Sequence, residues 1–79
     1  KGEMMKINAK DYKTNEIIKF IREGLNLTQE QLSKDIKISK SSIEKYEYGT
    51  ANYTFETLLK IALKYDLDII ICSKNKSSK

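Results

Sequence analysis

Residues 28–47, TQEQLSKDIKISKSSIEKYE, contain two helix-start signals close together, and this stretch decides the fold. Thr28 can cap a helix because its hydroxyl can accept a hydrogen bond from an N–H group of the first turn. Gln31 follows at the capping-box spacing, so its side chain can return a bond to the cap. Leu27 and Leu32 have the spacing of a hydrophobic staple around the same start. A short amphipathic helix is therefore predicted from Thr28.

A second helix start follows almost at once. Ser39 is another possible cap, and Ile38 and Ile43 repeat the staple spacing. Two short helices with so few residues between them cannot lie antiparallel, so they must cross at a steep angle. This pattern predicts a helix-turn-helix motif in which the second helix begins near Ser39 and ends at Gly49.

Two further helices complete a compact domain. The first is predicted to begin at Thr14 or Asn15, with apolar residues at helical spacing facing inward, and the last to be capped by Thr54. The predicted fold class is all-α: a four-helix domain that contains the helix-turn-helix, followed by a short β-branched segment read as a C-terminal strand. The expected divisions are an N-terminal arm (1–13), the helical domain (14–66), the strand (67–73) and a disordered tail (74–79). Residues 4–7 could form a short strand or an arm over the core.

Composition narrows the possible functions. The chain has 79 residues, a formal charge of +4 and a pI of about 9.2, which suits one small domain with an anionic partner. It has no histidine and one cysteine, so neither an internal disulfide nor a metal site is expected. We expect no cofactor, and no nucleophile–base pair or phosphate-binding glycine loop indicates an enzyme. The absence of a long apolar run or secretory signal favours a cytoplasmic protein without a membrane span.

The run LTQEQLSKDIKISKSSIEKYEYGTANYTFETLLKIA, residues 27–62, resembles the Cro and lambda-repressor-like helix-turn-helix family. The most specific pieces are the Thr-Gln-x-x-Leu start, the Ile-Ser pair before the second helix, and the spacing of Ile43, Tyr46, Glu47 and Gly49. Lys37 departs from the pattern, because many members have glycine at this turn. Lysine there must accept some strain or use a different turn conformation. The resemblance implies a non-enzymatic domain that binds double-stranded DNA.

The resemblance also implies where DNA would bind. In this family the second helix of the motif enters the major groove, and its first turn faces the base edges. A residue at the start of the preceding helix and one in the loop after the recognition helix are expected to lie near the DNA backbone. The alternative for these residues is an ordinary solvated helix face, and the acidic member could either accept from cytosine or repel phosphate. The candidate DNA-binding residues are Gln29, Lys40, Ser41, Ser42, Glu44, Lys45 and Asn52.

Two structural expectations accompany the DNA site. Arg22 and Glu47 both lie near otherwise apolar faces, and family members often pair a basic residue of the first helix with this glutamate, so we expect an ion pair. The second expectation is a homodimer through the C-terminal segment, because a small domain can cover only one face of a strand. The alternative is a strand packed within one chain, against residues 5–7. The candidate interface residues are Leu67, Ile69, Ile70, Ile71 and Cys72.

The leading functional hypothesis is a sequence-specific DNA-binding transcriptional regulator, a repressor acting as a homodimer on a pseudo-palindromic operator. The alternative is an antitoxin-type or other protein-interaction module that uses the same helices to bind a protein, such as a toxin. A positive potential across the recognition-helix face favours DNA, whereas an apolar or acidic face favours a protein. The two roles are compatible if a protein partner uses another side of the domain.

Overall fold

The computed structural model describes residues 5–74, and the regular structure within this part of the chain is entirely helical. The predicted all-α, four-helix architecture is confirmed. No helix in the described part is long and apolar enough to cross a membrane. After a short 3-10 turn at Ala9–Asp11, the α-helices are α1 (Thr14–Gly24), α2 (Gln29–Ile36), α3 (Lys40–Tyr48) and α4 (Phe55–Tyr65).

Local capping explains why the helices begin where they do. Thr28 Oγ1 accepts from the Gln31 N–H at 3.0 Å, and Gln31 Oε1 accepts from the Thr28 N–H at 2.8 Å. This reciprocal pair is the capping box that the sequence predicts, and it fixes the start of α2. Ser39 and Thr54 accept first-turn N–H groups in the same way at the starts of α3 and α4.

The turn between α2 and α3 uses the left-handed backbone conformation. Lys37 has φ 61° and ψ 44°, and its N–H donates to the Ser33 carbonyl to close α2. Of the two possibilities open from the sequence, the chain therefore accepts the strain of a side chain at positive φ. Gly49, with φ 94°, ends α3 without that cost.

The core is built from side chains of all four helices. α2 packs against both α3 and α4, and α1 packs against α3. The helix that is expected to read DNA is thus held from two sides, which leaves its remaining face outward. The buried cluster consists of Ile18, Leu32, Ile36, Ile43 and Ile61.

The structure does not support the predicted C-terminal strand. Residues 67–73 form neither helix nor strand in the described part of the chain. Leu67 donates its N–H to the Ala62 carbonyl at 2.8 Å and packs against the core, whereas Ile70 and Ile71 are exposed. A strand needs a neighbouring strand for its backbone hydrogen bonds, and residues 5–74 contain none.

The N-terminal arm lies against the end of α1. The Met5 side chain occupies the space that a Cβ at Gly24 would fill. Among the described residues of this segment, the regular structure is the 3-10 turn, and no strand is present. The expectations for residues 1–4, and for all but the first residue of the 74–79 tail, lie outside the described residues.

Candidate nucleic-acid interface

The first turn of α3 is exposed, and the opposite side of the helix is buried. Lys40, Ser41 and Lys45 are exposed, while Ile43 is fully buried in the core. The side chains that can donate to DNA therefore project from the face that α1 and α2 leave free. Lysine can donate to guanine O6 and N7, and serine can bind either a base or a phosphate.

Lys40 already has a neighbour of opposite charge. Its Nζ lies 3.8 Å from Glu44 Oε2, and both side chains are 53% exposed. Exposed ion pairs of this kind contribute only about 0–1 kcal/mol, so a base or phosphate can replace Glu44 as the partner of Lys40 at little cost. Ser42 differs from Ser41, because its hydroxyl accepts from Ser39 Oγ at 3.0 Å as part of the helix start.

A bidentate ion pair fixes the other end of α3. Arg22 Nε donates to Glu47 Oε2 at 2.7 Å, and Arg22 Nη2 donates to Glu47 Oε1 at 3.0 Å. The side chain of Glu47 is only 5% exposed and that of Arg22 is 13% exposed, so solvent screens the pair weakly. The hydrogen bond to Glu47 raises the pKa of the Arg22 guanidinium above its ordinary value. The Arg22–Glu47 contact expected from the sequence is thus present in the structure.

The same carboxylate is the centre of a larger network. Gln29 Nε2 donates to Glu47 Oε1 at 3.1 Å, and Arg22 Nη1 donates to the Leu27 carbonyl at 2.8 Å. Asn15 Nδ2 also reaches the Glu47 carbonyl, at 3.4 Å. These bonds join α1, the α1–α2 loop, the start of α2 and the end of α3. They fix the position of α3 by directional contacts as well as by apolar packing.

Gln29 therefore has a structural contact that the sequence analysis did not anticipate. Its side-chain amide donates to the Glu47 carboxylate and is not simply solvated. Its position at the first residue of α2 still suits phosphate, because the first N–H groups of a helix have no partner within the helix. Asn52 is exposed in the loop after α3.

The same surface includes three further residues that were not predicted from the sequence. A shallow groove between α1, α2 and α3 includes Lys19, Tyr48 and Thr50 beside the expected residues. Tyr48 is 81% exposed, and helical spacing from Ser41 and Lys45 (i+7 and i+3) could have identified it as part of the same face. Lys19 follows Asn15 by one turn and precedes Arg22 by one turn, which places it on the side of α1 that faces α3.

The residues proposed for dimerisation fall into two groups. Leu67 is half-buried against the core of its own chain. Ile69, Ile70, Ile71 and Cys72 are exposed in the single chain, with Ile71 93% exposed. The structure thus leaves these four side chains accessible to a partner.

Fold and site together define a class. Two short helices separated by residues 37–39, with the second fixed by a partly buried ion pair and its first turn exposed, make a helix-turn-helix protein. The family model described as "Helix-turn-helix domain" matches residues 15–69, so the chain belongs to that family.

The chain is also similar to curated transcriptional regulators and to a solved structure. The chain is 42% identical over 48 residues to the cryptic phage CTXphi transcriptional repressor RstR of Vibrio cholerae, a match that covers 61% of this chain and 43% of that protein. It is 36% identical over 55 residues to the HTH-type transcriptional activator BcrR of Enterococcus faecalis, covering 70% of this chain and 27% of that protein. The chain thus spans less than half the length of either relative. A solved structure titled "MDT Protein" superimposes with a TM-score of 0.61 at 27% identity, covering 91% of this chain and 100% of that one.

Proposed function

We propose that the chain is a sequence-specific DNA-binding transcriptional regulator that reads DNA through the first turn of α3. The observation that supports this proposal is the contrast within one short helix. Lys40, Ser41 and Lys45 are exposed, while the side chain of Glu47 near the end of the helix is only 5% exposed and is paired with Arg22. A reading helix must be held rigidly so that its exposed side chains meet base edges in register.

The proposed contacts divide into two kinds. Lys40, Ser41 and Lys45 read bases, with Glu44 either accepting from cytosine or releasing Lys40 to the DNA. Gln29 and Asn52, together with Lys19 at the groove edge, contact the DNA backbone and fix the register. Ser42 contributes through the capping geometry that orients the first turn.

The sign of regulation that we propose is repression. The relative with 42% identity is named a repressor, whereas the one with 36% identity is named an activator. A small domain bound across a promoter can block transcription by occupancy alone, without a further surface for polymerase. We propose that it binds as a homodimer on a pseudo-palindromic operator.

Selection of duplexes from a random pool, followed by affinity measurements on variants, tests this function. If Lys40 or Lys45 donates to a guanine edge, its change to Ala should cost about 1–3 kcal/mol and relax the preference at that base pair. The matched control is Lys34→Ala, because Lys34 is exposed on α2 and forms an i,i+4 pair with Glu30 like that of Lys40 with Glu44. If neither α3 lysine alters sequence preference more than the control does, α3 is not the reading helix.

A second candidate is a protein-interaction module of the antitoxin type, with a toxin as one possible partner. The observation that favours it is the large exposed apolar side chains of α4 and the C-terminal segment, including Leu63 at 85% and Ile71 at 93% exposure. Such side chains on a small domain indicate a protein contact. A parent protein that binds no duplex even at low salt would favour this candidate over DNA binding, since phosphate contacts are strongest at low salt.

A further inference from the structure

The outer face of α4 has an apolar stripe that the fold does not bury. Phe55, Leu59 and Leu63 follow one another at intervals of four residues and are 58%, 40% and 85% exposed. The same helix buries Ile61 and Ala62 against the rest of the domain. α4 is thus apolar on two sides, and only one of them meets the core. We refer to Phe55, Leu59 and Leu63 as the α4 stripe.

The two edges of the stripe differ in charge. With 100° of rotation per residue, Glu56, Lys60 and Lys64 lie on one edge, and the small Ala62 lies on the other. The charged edge has its carboxylate near the start of the helix and its ammonium groups farther along. The stripe and its charged edge therefore have a direction, which limits how a second helix can lie against them.

We propose that the α4 stripe is the interface with a second copy of this chain, with the two α4 helices packed antiparallel about Leu59. This inference rests on the homodimer of the proposed function and names its contact surface. A two-fold axis at Leu59 places Phe55 of one copy opposite Leu63 of the partner subunit, and Leu63 of the first copy opposite Phe55 of the partner subunit. The two Leu59 side chains then face each other. Burial of these side chains removes apolar surface from water in both copies.

Charge favours the antiparallel arrangement over a parallel one. In an antiparallel two-fold pair, the charged edge of one helix faces the charged edge of the other in reverse order. Glu56 then lies about 3 Å along the helix axis from the levels of Lys60 and Lys64 of the partner subunit, given a rise of about 1.5 Å per residue. In a parallel pair, Glu56 would face the apolar edge near Ala62, and its charge would be left without a partner.

The size of the stripe sets the strength of this dimer. Leu63 lies eight positions after Phe55, which is about 12 Å of helix. Three side chains along this length bury less surface than the roughly 800 Å² per partner of a standard interface. We therefore expect reversible association that strengthens when DNA holds two copies side by side.

Sedimentation of surface variants tests the proposal. Leu63→Glu should raise the dimer dissociation constant about tenfold or more, because the change is present in both copies. Leu63 is 85% exposed, so the monomer should remain folded. The matched control is Ile71→Glu, at a 93% exposed apolar residue outside the stripe, which should leave association nearly unchanged. Loss of the dimer in the control but not in Leu63→Glu would overturn the α4 interface in favour of the C-terminal segment.

Cross-linking tests the orientation. In a Cys72→Ser background, Leu59→Cys should form a disulfide-linked dimer under mild oxidation, because the two-fold axis brings position 59 of both copies together. Phe55→Cys alone should not cross-link, but it should do so when mixed with a Leu63→Cys chain. Efficient self-linking of Phe55→Cys would indicate a parallel pair and overturn the proposal, as would a parent protein that is monomeric at high concentration and also on DNA. Duplex binding by that monomer would show that the DNA-binding function survives without the interface.

Discussion

At the scale of single residues, Glu47 determines how the reading helix is held. Its carboxylate is almost fully buried and accepts three hydrogen bonds, two from Arg22 and one from Gln29. A buried charge is tolerated only when its partners satisfy it, so these residues form one unit and are expected to respond to substitution as one.

Removal of one partner of the pair should therefore destabilise the protein strongly. Arg22→Ala leaves the Glu47 carboxylate buried with Gln29 as its remaining side-chain donor, and we expect a loss of about 3–5 kcal/mol in the free energy of unfolding. Urea denaturation measures it. The double variant Arg22→Leu/Glu47→Leu should recover much of this loss, since no charge is left unpaired. An Arg22→Ala protein as stable as its parent would contradict this account.

Tyr65 gives a pH-dependent prediction at the same scale. Its hydroxyl donates to Asp35 Oδ2, and burial together with this hydrogen bond raises the pKa of Tyr65 to about 12. Because the folded state favours the protonated phenol, the contribution of Tyr65 is fully present below about pH 10 and is lost as the pH rises toward 12.

The comparison of the parent protein with Tyr65→Phe measures this effect. We expect the variant to be less stable by about 0.5–1.5 kcal/mol near pH 8 and the difference to shrink above about pH 10. Tyr48→Phe, at an exposed ring on the groove, is the control for the loss of a phenol. A stability difference between parent and Tyr65→Phe that stays constant across this range would mean that the bond to Asp35 does not govern the titration of Tyr65.

At the scale of elements, the sequence predicted the helix starts, which depend on neighbours in the chain, but it did not predict every feature that depends on distant contacts. Thr28, Ser39 and Thr54 cap their helices as predicted, because capping involves residues only three positions apart. The strand at residues 67–73 was not supported, since β-branched composition does not supply the second strand that a ladder needs. The contact of Gln29 with Glu47, 18 residues away, was likewise not predicted, because it depends on how α2 packs against α3.

The turn between α2 and α3 gives the element-scale prediction. Lys37 adopts φ 61°, which glycine adopts without steric cost. Lys37→Gly should raise the free energy of unfolding by up to about 1 kcal/mol, the relief of strain being partly offset by the greater freedom of glycine in the unfolded chain. Lys37→Ala is the control, because it removes the side chain but keeps the Cβ. If both variants change stability equally, positive φ is not the cause.

At the scale of the whole molecule, the proposed surfaces lie on different helices. The proposed DNA surface is formed by α3 with the edges of α1 and α2, whereas the α4 stripe faces away from the core. α2 packs against both α3 and α4, so it joins the reading helix to the proposed dimer contact. A two-fold dimer built in this way has two copies of α3, one in each subunit. Its operator should therefore have two matching halves.

Half-site spacing tests that arrangement. The two α3 helices of a dimer should enter successive major grooves about 34 Å apart, so the centres of the half-sites should lie roughly one helical turn of DNA apart. Insertion of five base pairs between the half-sites turns one of them to the far side of the duplex, and affinity should fall to that of a single half-site.

Leu63→Glu should bind the intact operator with nearly the affinity it has for one half-site, whereas Lys34→Ala should keep the parent's preference for the intact operator. Affinity titrations of both variants on intact, spaced and single half-sites measure these differences. A parent protein indifferent to the insertion would mean that the subunits bind independently and that no dimer reads the operator.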